Sequence, residues 1–284
     1  MDLIGRHEIR RLSWSSATAS DIMEAGRRRH HVAGLVELDV TAARGRIRGI
    51  RERTGESVSF TGWLAGCLGR ALAEHRALNA HRHGRARVVV FDDVDVTIIV
   101  ERDAGGTRRP LPFVLRHANE KTVLEISREV RAVQAAPIGE DEMVMGGGRW
   151  TRWLARLPRV ARFYALVPSP IRLLFWKALS RDAFAAKRIM GTAGITAVGM
   201  MGHLSGWPLT VGVHTVDLAI GGIVEKPRVV AGRMEPREML AVTILVDHDI
   251  VDGAPATRFV SRLAELVESA HGLEPLAAAD PAGR

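Results

Sequence analysis

The sequence predicts a single mixed α/β domain, and three stretches carry that prediction. Residues 33–40 (AGLVELDV) alternate apolar and polar side chains, as a half-buried strand does. Residues 94–100 (VDVTIIV) are a nearly unbroken β-branched run, which suits a strand covered on both faces. Residues 239–246 (MLAVTILV) form a further strand. They lead into 254–271, an amphipathic helix with Pro255 in its first turn.

The remaining elements follow in order. Residues 41–53 are helical and stop before Thr54-Gly55, a turn signal. Ser59 is placed to cap a helix over 59–76, with Trp63, Leu64, Cys67, Leu68, Ala71 and Leu72 on one apolar face. Cys67 on that face reads as core, not as a nucleophile. As the only cysteine, it excludes an intramolecular disulfide framework and a multi-cysteine zinc site. Residues 86–91 (ARVVVF) are another strand, and Thr122 with Glu125 opens a helix over 122–136 as a capping box. We expect an N-terminal arm over 1–30, one domain over 31–272 with an inserted segment at 140–190, and a flexible tail over 273–284.

Composition narrows the function. With 46% hydrophobic and 25% charged residues, disorder, collagen and coiled coil are excluded as the main architecture. The first residues lack the apolar core of a secretory signal. Pro168, Pro170, Arg172 and Lys177 break the apolar stretch at 163–179, so no spanning helix is expected and the default location is the cytoplasm. The net charge of +8 (40 basic minus 32 acidic residues) suits nucleic acid, an anionic membrane or a polyanionic ligand. Nucleic acid is set aside, because aromatics are only 5% and no binding motif is found. A phosphate-rich ligand would use the same field. Within 149–179, Trp150, Trp153, Leu154, Leu157 and Val160 alternate with arginines, and 171–179 is a second basic amphipathic helix. Packing on the domain itself or on an oligomer neighbour is preferred there to a substrate lid or peripheral membrane contact. Arg27 to His31 and His81 to His83 lack partners at metal spacing and read as solvated surface; no metal is expected.

The chemistry concentrates at Asp247-His248-Asp249-Ile250-Val251-Asp252-Gly253, between a strand and a helix. A histidine there is presented from a strand end, with Gly253 allowing a tight turn. Neutral imidazole is suited to take a proton from a thiol or hydroxyl near pH 7.

These residues lie in DHDIVDGAPATRF (247–259), which resembles the DHR-x-x-DGA-x-AA-x-F run of the dihydrolipoamide acyltransferases of 2-oxo-acid dehydrogenase complexes. GTAGITAVGMMG (191–202) is similar to their GTFTIS-x-LG segment, and LAIGGIVEKP (218–227) to LA-x-G-x-I-x-K-x-P. VELDVTA, EHRALNAH and VDVTIIVERD upstream are also family-like, so the resemblance covers most of 31–136 and 191–271. It implies the chloramphenicol acetyltransferase-like fold, forming trimers. It further implies CoA as substrate, with His248 as general base and Thr196 as oxyanion donor. Asp252 would support the polar network of the loop and Gly253 its turn. In that family the histidine and hydroxyl come from different subunits across a channel. Partners would then be a homotrimer or higher oligomer, and a separate lipoyl carrier or 2-oxo-acid dehydrogenase subunits, because no lipoyl or peripheral-subunit-binding domain is seen. Asp249 stands where the family has arginine, beside His248, and the family's N-terminal RK-x-IA-x-RM motif is barely recognisable. The rival expectations are a free-standing transferase for a small non-lipoyl acceptor and a catalytically silent assembly subunit.

Overall fold

The computed structural model describes residues 4–9, 14–104, 107–136, 166–197 and 205–274. Its strands are β1 (His31–Asp39), β2 (Ala80–His83), β3 (Arg87–Val90), β4 (Val96–Ala104), β5 (Thr107–Leu115), β6 (Ala193–Ala197), β7 (Val216–Val230) and β8 (Arg233–Asp247). Its α-helices are α1 (Trp14–Gly26), α2 (Thr41–Thr54), α3 (Phe60–Glu74), α4 (Val123–Ala135), α5 (Ser169–Leu179), α6 (Ala183–Met190) and α7 (Gly253–Glu268). Six strands form one mixed sheet in the order β1-β8-β7-β6-β4-β5, and β2 pairs with β3 in a separate hairpin. Among the described residues, only the β4–β6 and β6–β7 pairings are parallel.

The two faces of the sheet differ chemically. Val96, Ile98, Ala193, Ile195, Val216, Leu218, Val242, Ile244 and Val246 point to one face and join Trp63, Leu64 and Leu68 of α3 and Phe259, Leu263 and Leu266 of α7 in one core. Strand side chains alternate, so Thr97, Gly194, Thr196, Asp217, Ala219, Thr243 and Asp247 share the other face. Every one of these residues except Thr196 is also buried. The polar groups of the sheet thus collect on the face away from the helical core.

Local signals explain the helix ends. The Ser59 side chain accepts from the Gly62 N–H, and Thr122 and Glu125 form both halves of a capping box. Gly55 closes α2 in the left-handed region at φ 71°. Cys67 is in the core, 1% exposed, and burial pushes its thiol up. At the start of the stretch expected as tail, Leu273 is fully buried and Arg46 pairs with Glu274, while 275–284 lie outside the described residues. The amphipathic stretch 149–162 also lies outside them. The second, 171–179, is α5, with Trp176 and Leu179 buried and Ile171, Leu174 and Phe175 exposed. No helix among the described residues is long and apolar enough to cross a membrane.

Candidate active site

His248 sits in a turn that closes β8. The Asp247 carbonyl accepts from the N–H of Ile250 at 3.0 Å and of Val251 at 3.1 Å. The His248 N–H donates to the His30 carbonyl at 3.0 Å, so the turn is fastened to the residue before β1. The His248 side chain is exposed. Its neighbours are held elsewhere. Asp247, 3% exposed, pairs with Arg29 at 3.0 Å and accepts the Asp249 N–H at 3.1 Å. Asp249 turns to His30 at 2.9 Å and to Arg82 at 3.5 Å, and the His30 contact holds its carboxyl below the usual carboxylate range. The acidic residue in the family's arginine position is therefore engaged by a histidine and an arginine.

The basic clusters correct the sequence reading. Arg29 is paired with buried Asp247, and the His31 Nε2 donates to the His214 carbonyl at 2.8 Å. His81 is 1% exposed and donates to the Gly191 carbonyl at 2.8 Å. Their partners lie far along the chain, where local spacing cannot reveal them. Arg28, Arg29, Arg82, Arg85, Lys177 and Arg181, with Asp247 and Asp249, line a cavity of about 310 Å³ behind the His248 turn. Six cations facing two carboxylates leave it strongly positive.

Asp252 is the N-cap residue of α7 by its backbone, but its exposed side chain makes no capping hydrogen bond. The tight turn expected at Gly253 is absent: Gly253 is the first residue of α7, lies outside the left-handed region, and a Cβ there would meet nothing within 4 Å. Asp93, His117 and Glu120 bring ligand-type atoms within 4.8 Å of one another, but on a mainly exposed surface, as ordinary surface charges do.

Thr196, on β6, is half-buried and level with Ala219 on β7, which is level with Thr243 on β8. His248 follows Thr243 by five residues. With about 3.3 Å per residue along a strand and about 4.8 Å between strands, Thr196 and His248 lie roughly 19 Å apart in one chain. At that backbone spacing the two side chains are well beyond hydrogen-bonding reach of each other within one chain.

A family profile described as 2-oxoacid dehydrogenases acyltransferase (catalytic domain) matches residues 7–137 and 179–274. The chain belongs to this family. Family members of known structure share the fold. A probable dihydrolipoamide acetyltransferase from Listeria monocytogenes superposes with TM-score 0.63 at 18% identity, covering 94% of this chain and 96% of that one. The cubic core of a pyruvate dehydrogenase multienzyme complex gives TM-score 0.63 at 17% identity, covering 96% and 97%. Among curated relatives, the dihydrolipoyllysine-residue succinyltransferase component of 2-oxoglutarate dehydrogenase from Bartonella vinsonii is 26% identical over 82% of this chain. The bovine mitochondrial succinyltransferase component is 30% identical over 37%. The chain spans less than half the length of these relatives, 46% and 23% respectively. With the family shown, the mixed sheet is that of its catalytic cores, and the match extends over both β6 and the His248 turn.

Proposed function

We propose that this protein is a CoA-dependent acyltransferase working at sites shared between protomers of a trimer or larger assembly. The observation that carries the reading is the exposed imidazole of His248, held in a rigid turn within the family match, with Thr196 too distant to serve it in the same chain. A neighbour's Thr196 completes the site. His248 takes the proton of an attacking thiol, and the thiolate adds to the thioester carbonyl carbon. The neighbour's Thr196 hydroxyl donates to the resulting oxyanion. As the tetrahedral carbon collapses, its bond to the departing sulfur breaks, and that thiolate recovers the proton from the His248 imidazolium.

The positive cavity behind the His248 turn supports a phosphate-bearing substrate, as CoA is. Dihydrolipoamide, delivered on a separate carrier within a 2-oxo-acid dehydrogenase complex, is the acceptor this reading favours, and the cytoplasm is its setting. The test is acyl-CoA-dependent transfer to dihydrolipoamide by the purified protein beside His248→Ala and Thr196→Ala. Loss of about 10²–10⁴ in turnover is expected for the first and about 10²–10³ for the second, with assembly unchanged. His248→Ala activity within about tenfold of wild type would overturn the general-base assignment. Turnover with alcohols or amines alone would replace the acceptor.

A further inference from the structure

Beneath the Thr196 strand lies a buried charge pair that the transfer step does not use. His214 is 2% exposed. Its Nδ1 lies 2.6 Å from Asp217 Oδ1, and its Nε2 lies 2.7 Å from the Met190 carbonyl oxygen. Each ring nitrogen thus has its own hydrogen-bond partner. Asp217 answers with a carboxylate whose other oxygen accepts the N–H groups of Val213 at 2.8 Å and His214 at 2.9 Å. Burial alone would raise this carboxyl, but the His214 charge and these hydrogen bonds override it and hold it far below the usual carboxylate range.

The pair is built into β6. Met190 is the residue that ends α6, and its carbonyl also accepts from the Thr97 hydroxyl. Gly194 is the register partner of Asp217. A Cβ at Gly194 would run into the Asp217 carboxylate and lie 2.8 Å from His214 Nδ1, so the strand's backbone rests directly on the pair. Thr196 is the next residue of β6 on that same face, about 7 Å further along. The other end of the pair is tied to the frame of the His248 turn. The His214 carbonyl accepts from His31 of β1, and the Thr215 carbonyl accepts the Asp247 N–H at 2.9 Å. Among the described residues, His81 of β2 also faces the pair, 6.3 Å from His214 between ring centroids. Burial pushes His81 down to about 3, so it packs against the pair as a neutral ring.

We propose that the His214–Asp217 pair is a positioning clamp that sets the Thr196 strand in register with the frame carrying the His248 turn. The proposal rests on Thr196 serving as oxyanion donor. A buried ion pair adds little net stability compared with apolar packing, whereas small displacements of a hydroxyl that must meet a developing charge are costly in rate.

His214→Phe keeps a similar volume and removes both hydrogen bonds. The expected result is a kcat lower by about 10–100-fold with KM for acyl-CoA within about twofold. In a Thr196→Ala background the same substitution should cost less than about threefold, because the group it places is already gone. His214→Gln, which keeps a donor toward the Met190 carbonyl, should recover part of the loss and serves if the Phe variant does not assemble. Wild-type kcat in either variant overturns the clamp, and so does a full penalty that persists in the Thr196→Ala background. If Thr196→Ala itself turns over at the wild-type rate, the oxyanion assignment falls first. If Thr196→Ala is slow and His214→Phe is fast, the clamp falls alone.

Discussion

His81 and His248 carry the same side chain, and enclosure separates their fates. His81 is shut between β2 and the lead-in to β6, where burial pushes its imidazole down to about 3; His248 stands in solvent on its turn. The buried ring has a consequence for stability. Its unfolded pKa is near 6.5, so between about pH 3 and pH 6.5 the unfolded chain binds a proton that the folded chain refuses. Stability is then lost as pH falls through that window and is flat above it, at up to about 1.4 kcal/mol per pH unit from this group. Urea unfolding across the window should show this acid limb, and His81→Asn should flatten it; an unchanged limb would mean other groups set it. The motif around His248 was legible because it is local in sequence. The burial of His81 and the pairing of Arg29 with Asp247 were not, since each depends on a partner more than a hundred residues away.

Helices whose ends are written in adjacent residues were readable to within a few positions, as Ser59 and the Thr122–Glu125 box show for α3 and α4. Thr122→Ala should remove one side of that box and cost about 1 kcal/mol. Chemical denaturation with an unchanged slope would confirm a local loss, and no shift in midpoint would show that the box contributes nothing. Strand β5 escaped the same kind of reading. Pro110 and Pro112 interrupt its pattern and argue against a central strand, yet β5 lies at the edge of the sheet and pairs only with β4. There a missing N–H can face away from the ladder at no cost. The hairpin β2–β3 was half seen, because β3 carries the β-branched run while β2 is the histidine- and arginine-rich AHRH.

At the scale of the whole molecule, the mixed sheet with its helices was legible, but the distance between Thr196 and His248 was not; only the register of β6, β7 and β8 supplies it. That distance makes a prediction of its own. His248→Ala and Thr196→Ala alone should each keep about 1% of wild-type turnover or less, but co-assembly of the two in equal amounts should restore about a quarter of wild-type activity. One site in four then draws an intact histidine and an intact threonine from different chains. Mixed oligomers that stay inactive would place the whole site within one chain.

The same separation makes concentration a control on the proposed activity. Under the proposed shared site, a newly made chain would hold only half of each of two sites, so it would not turn over or waste a thioester before it finds its neighbours. Below the dissociation constant of the assembly, activity should fall more steeply than protein concentration. Dilution would then silence the enzyme without any inhibitor, and a rising supply of chains would switch it on abruptly.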